Sequence, residues 1–137
     1  MSTPALPVPV RSFKADQLPV HVFGSQEDVA LYMTLSVRGI LSEAIARNGS
    51  AAAILATGNS QIRFLRHLVD LGGVDWSKVT LFHMDEYLGV PADHPACFRR
   101  YMKERVESLL HPRAFHYLGG DALLPFDECD QIGRAHV

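Results

Sequence analysis

Val79-Thr80-Leu81-Phe82-His83-Met84-Asp85-Glu86-Tyr87-Leu88-Gly89 passes abruptly from an apolar run to two adjacent carboxylates and a turn. Val79 to Phe82 is rich in β-branched and aromatic side chains and follows the turn-prone Gly72-Gly73 and Asp75-Trp76-Ser77-Lys78, which predicts a buried strand of a parallel sheet. Ligands of open α/β sheets bind beyond the carboxyl ends of the strands, which is where Asp85 and Glu86 stand. A period of two sends their side chains opposite ways, so at most one points straight into a given site.

Upstream, Ala51-Ala52-Ala53-Ile54-Leu55-Ala56 is continuously apolar and reads as a central strand buried on both faces. Its sequel decides against a helix. Thr57-Gly58-Asn59-Ser60 leads into Gln61–Val69, where Ile62, Leu65, Leu68 and Val69 share one helical face. Strand, glycine turn and helix place free backbone N–H groups at the positive end of a helix, an arrangement that holds phosphate. A plain turn with Asn59 or Ser60 capping the helix has the same sequence, and neither a Walker A pattern nor G-x-G-x-x-G is present.

Earlier still, Val20-His21-Val22-Phe23 alternates as a strand does. Ser25 with Asp28 forms a capping box for a helix whose buried face carries Val29, Tyr32, Met33, Val37, Ile40, Leu41, Ala44 and Ile45 and which ends at Asn48-Gly49. Downstream, Asp93-His94-Pro95 is placed to begin a helix with Phe98, Tyr101, Met102, Val106 and Leu109 inward and Arg99, Arg100, Lys103, Glu104 and Glu107 solvated. Phe115–Leu118 is one more short strand before Gly119-Gly120. Read as β-α-β-α-β-α-β, the chain is expected to be α/β, a doubly wound, mostly parallel, Rossmann-like sheet with helices on both faces.

Composition limits the partners. The 137 residues make about one domain, and a net charge of −2 with mixed signs argues against sequence-independent nucleic-acid binding. Cys97 and Cys129 have no Cys-x-x-Cys spacing, which points to a reducing, cytoplasmic setting without disulfides or a zinc knuckle. Met1–Val10 lacks the pattern of a signal peptide, and no stretch is expected to span a membrane. His83, Asp85, Glu86 and His94 lack a diagnostic metal-ligand spacing, so no metal is assigned. His94 is expected to cap or orient its loop; His21, His67, His111 and His116 are packing or surface residues, and Cys97 is structural.

Together, Thr57-Gly58-Asn59-Ser60 after an apolar strand, Phe82-His83-Met84-Asp85-Glu86-Tyr87-Leu88-Gly89, and Asp93-His94-Pro95 before Phe98-Arg99-Arg100-Tyr101-Met102 resemble the glucosamine-6-phosphate deaminase/isomerase family, whose superfamily includes the 6-phosphogluconolactonases. The likeness runs from Pro19 to Asp121. It implies that Asp85 is the base that moves a proton between C2 and C1 of an opened amino sugar phosphate, giving fructose 6-phosphate and ammonia. Glu86 then supports Asp85 or accepts structural hydrogen bonds, and Thr57, Gly58, Asn59 and Ser60 hold the substrate phosphate, without metal or organic cofactor. Deaminases of the best-known type carry Gly-Ser-Thr-Pro where this chain has Gly58-Asn59-Ser60-Gln61.

The same resemblance implies that the sequence is truncated, because the family's ring-opening histidine and later basic phosphate ligands have no match here. The expected division is an arm over 1–18, mobile or holding one short edge strand, the first part of a single isomerase/deaminase domain over 19–131, and a suspected non-native tail over 132–137, whose codons admit a run like a sequencing adapter. The partner is a small-molecule sugar phosphate, with no nucleic acid or membrane and a possible homo-oligomer at full length. A 6-phosphogluconolactonase-type hydrolase and a non-catalytic sugar-phosphate sensor are the alternatives. Asp85-Glu86-Tyr87, where a lactonase would have Asp-Glu-Arg, favours the deaminase.

Overall fold

The computed structural model describes residues 4–135; residues 1–3 of the expected arm and 136–137 of the expected tail lie outside them. β1 (Arg11–Ala15) and β2 (Leu18–Val22) pair antiparallel with Ala15 opposite Leu18. Asp16 makes the turn with φ 56°, a left-handed conformation that short polar side chains tolerate. The run at Val20 is therefore half of a hairpin and not a strand of the parallel sheet, and part of the arm is a paired strand. Tyr32 of the next helix packs on Phe23 with ring centroids 4.9 Å apart.

α1 (Gln26–Asn48) has the expected ends: the Asp28 N–H donates to Ser25 Oγ at 3.1 Å, and Gly49 closes the helix at φ 79° with its N–H on the Ile45 carbonyl. Its buried stripe is Ala30, Thr34 and Leu41 with Val37 and Ile45 beside them, whereas Val29, Met33 and Ile40 are exposed. This corrects the expected face. α1 is apolar on most sides, so composition does not mark the inward one; packing on α2 (Ile62–Leu71) does, and the Thr34 hydroxyl donates to the Ala30 and Phe64 carbonyls. Against expectation, α1 is also long and apolar enough, by length and composition alone, to cross a bilayer.

β3 (Ala51–Leu55), β4 (Val79–His83) and β5 (Ala114–His116) form a parallel sheet in sequential order, with Leu55 opposite His83 and Phe82 opposite His116. The crossover from β4 to β5 holds α3 (Phe98–Met102), a π turn (Lys103–Glu107) and α4 (Ser108–Leu110) as one continuous helix. One core joins Leu55, Val79 and Leu81 to Leu41 of α1, Leu65 and Leu68 of α2, and Met102, Val106 and Leu110. Because strand side chains alternate, Val79 and Leu81 enter this core from the same face of β4.

The class is α/β, parallel and Rossmann-like, as expected, and β4 is covered on both faces, with Leu81 1% and Phe82 2% exposed. In the order β3-β4-β5, β3 is an edge strand with Ala52 and Ile54 exposed, not a strand buried on both faces. Leu109 is exposed and Leu110 buried, because the extra residue of the π turn shifts the inward register. A final helix, α5 (Pro125–Ala135), was not foreseen; Glu128 in its first turn accepts the Gly119 N–H at 2.9 Å.

Candidate active site

The strand register brings the two candidate segments together. With Leu55 opposite His83, Thr57-Gly58-Asn59-Ser60 and Asp85 each begin two residues past the ends of adjacent parallel strands, and the Met84 N–H donates to the Leu55 carbonyl. Asp85 and Glu86 divide as the alternation requires. Asp85 is exposed and carries no side-chain hydrogen bond or ion pair among the described residues. Glu86 turns inward, its side chain 1% exposed.

Glu86 is a structural acceptor. Its carboxylate takes the N–H groups of Phe98 at 3.0 Å, Arg99 at 2.9 Å and Tyr87 at 3.1 Å, and the Cys97 thiol at 3.2 Å. The helix therefore starts at Phe98, three residues beyond Pro95, where a carboxylate meets its first free N–H groups. Burial alone would raise the Glu86 pKa; the donors from Phe98, Arg99, Cys97 and Tyr87 outweigh it and hold the group below its ordinary value.

Arg99 was assigned to the solvated face, and that is corrected: its side chain is only 13% exposed. Its Nη2 donates to Asp121 Oδ1 at 2.8 Å and to the Val90 carbonyl at 3.2 Å, and its Nε lies 3.5 Å from Glu86 Oε2. A cation in the first turn of a helix opposes the helix dipole, and that misfit was the available signal that Arg99 has specific partners. Arg100 does take the solvated side and pairs with Glu104.

Gly120 closes the other side of the loop. The Gly89 N–H donates to its carbonyl at 2.6 Å, and a Cβ on Gly120 would stand 2.2 Å from the Tyr87 carbonyl oxygen and 2.7 Å from Glu86 Cγ. Neither neighbour is the free end of a flexible chain. Gly120→Ala is expected to cost about 1–3 kcal/mol through overpacking, read as a lowered urea midpoint; a midpoint equal to wild type would show that the loop gives way freely.

In the glycine turn, Gly58 has φ 123°, a value suited to glycine, and Asn59–Gln61 forms a short 3₁₀ turn leading into α2. Neither Asn59 nor Ser60 makes a side-chain cap to the helix; Gln61 Nε2 donates to Ser60 Oγ instead. A cleft of about 330 Å³ lies beside the turn, lined by Asn59, Ser60 and Arg63 together with Gln26 and Met33 of α1. Arg63, which the sequence did not single out, brings a cation there, 3.5 Å from Glu27.

His83 is buried at the sheet end between Phe98 and Tyr117, and burial keeps its pKa below the ordinary value against the pull of Glu86 and Asp85. The Leu118 N–H donates to Nδ1 at 3.4 Å, which places the neutral ring's proton on Nε2. His94 Nδ1 accepts the Ala96 N–H and orients its loop. No group of three or more metal-ligating side chains occurs among the described residues.

The chain matches no protein-family model. It is similar to curated proteins named glucosamine-6-phosphate deaminase: 33% identical to one from Giardia intestinalis over 69% of this chain and 38% of that protein, and 34% identical to one from Aliivibrio fischeri over 56% and 31%. One from Streptococcus pneumoniae is 37% identical over 49% of this chain and 28% of its own length. The chain thus spans roughly a third of these relatives. In solved structures its fold matches a 6-phosphogluconolactonase from Shewanella baltica, with a TM-score of 0.67 and 22% identity over 82% of this chain and 48% of that one. It also matches a monomeric glucosamine-6-phosphate deaminase, with a TM-score of 0.65 and 22% identity over 81% and 46%.

Proposed function

We propose, from the homology of this chain to the glucosamine-6-phosphate deaminases, that the whole protein is a cytoplasmic enzyme converting glucosamine 6-phosphate and water to fructose 6-phosphate and ammonia. The observation that carries this reading is the exposed Asp85 carboxylate beside the Thr57–Ser60 turn, at the ends of strands joined in register. The turn's N–H groups take the phosphate. The opened sugar then lies with C2 and C1 toward Asp85, which removes the proton from C2 and returns it to C1; with an amine proton passing to the C1 oxygen, this leaves a C2 imine that water hydrolyses to the ketone and ammonia. A carboxylate suits a shuttle between neighbouring carbons because it is compact and has two equivalent oxygens. No metal is assigned a role in this shuttle. The 137 residues alone are expected to be inactive, since the ring-opening histidine that the family uses has no counterpart in them.

The test is ammonia release from glucosamine 6-phosphate by the purified full-length protein. Release overturns both alternatives. Hydrolysis of 6-phosphogluconolactone without ammonia establishes the lactonase instead, and tight sugar-phosphate binding without turnover establishes a sensor.

A further inference from the structure

We propose that Arg99 is a positioning residue for Asp85, its guanidinium fixing the loop that carries the base to the segment after β5; the inference rests on the reading of Asp85 as base. Asp85 has no side-chain partner of its own among the described residues, so the place of its carboxylate is set by the backbone on either side. Upstream, that backbone is held by β4. Downstream, it is held where Glu86 takes its four donors, where the Gly89 N–H meets the Gly120 carbonyl, and where Arg99 grips the Val90 carbonyl. The largely buried guanidinium joins all three parts. One nitrogen serves Val90 and Asp121 together, and another faces Glu86, so one cation ties the loop, the start of α3 and the turn at Asp121.

The planar guanidinium sets Nη2 on Val90 and Asp121 while its Nε faces Glu86 at 3.5 Å as an ion pair; lysine offers a single point charge that cannot hold both positions. Without the tie, the Val90 end of the loop is free to move from the sheet. A base must sit within about 3 Å of the proton it takes, and a displacement near 1 Å costs on the order of a hundredfold. Arg99 touches no substrate in this scheme; it acts through the loop.

The full-length protein with Arg99→Met, Arg99→Lys and Asp121→Asn tests this. Arg99→Met is expected to lower kcat ~10–100-fold while KM, set by the phosphate turn, stays within about twofold. Amide hydrogen exchange at Gly89 is expected to quicken at least about tenfold, with the amides of β3 and β4 unchanged. Arg99→Lys and Asp121→Asn should fall between wild type and Arg99→Met in both readouts. Unchanged exchange at Gly89, or an equal rise throughout β3 and β4, overturns the proposal, the second because it marks a general loss of stability. If the wild type releases no ammonia, the reading of Asp85 as base falls on its own, and Gly89 exchange alone decides the clamp.

Discussion

Asp85→Asn in the full-length protein is expected to lower kcat by roughly 10²–10⁴, the usual contribution of a positioned general base, while leaving the fold intact. The substitution removes the charge and keeps the shape. Asp85 is exposed and has no side-chain partner among the described residues, so its loss should change stability by no more than about 0.5 kcal/mol. The phosphate turn is untouched, and substrate affinity, measured by calorimetry, should persist. A kcat within tenfold of wild type in a folded Asp85→Asn protein would remove the base assignment even if ammonia is released. The neighbouring carboxylate does not offer a substitute, because Glu86 is buried and occupied by donors.

Glu86→Ala should have the opposite profile, a large loss of stability. It strips the acceptor from the N–H groups of Phe98, Arg99 and Tyr87 and from the Cys97 thiol, and leaves the Arg99 cation facing an empty space. Removing one side of such a buried charged network costs about 3–5 kcal/mol, enough to unfold a marginal domain. Glu86→Gln keeps one acceptor oxygen but turns an NH₂ toward groups that are themselves donors, so a smaller cost is expected. Urea titration at neutral pH ranks the three proteins, and a Glu86→Ala midpoint equal to wild type would show that water replaces the carboxylate. The pH dependence has a definite sign. Glu86 has a folded pKa below its ordinary 4.5, so its contribution is complete above 4.5 and is lost as pH falls from there through the lower folded value. The stability gap between wild type and Glu86→Gln should therefore narrow below pH 4.5.

What could be read in the sequence is what neighbouring residues decide. Ser25 and Gly49 bound α1 through contacts three or four residues away, and the strand at Val79 is marked by its own side chains. The opposite fates of Asp85 and Glu86 follow from alternation. The strand order, by contrast, depends on which crossover follows which, so β3 stands at an edge of the described sheet where a central strand was expected. In the site, Arg99 looked like one of several surface cations because Asp121, its ion-pair partner, lies far along the chain. Gly120 gave no sign of its packing against Tyr87, since a double glycine reads equally well as a simple turn. Local patterns name the reacting groups, while the contacts that hold them in place are non-local and stay hidden.

The π turn at Lys103–Glu107 has a consequence for counting. Each residue advances a helix by about 100°, so a single inserted residue, accommodated in one wide turn, re-aims everything on one side of it relative to the other. With Met102, Val106 and Leu110 anchored in the core, Arg99 owes its bearing toward Asp121 partly to that insertion. Chain length at this point is thus a determinant of the site in its own right. A helix one residue shorter here, with every named side chain retained, would turn a different neighbour toward the loop that carries the carboxylates.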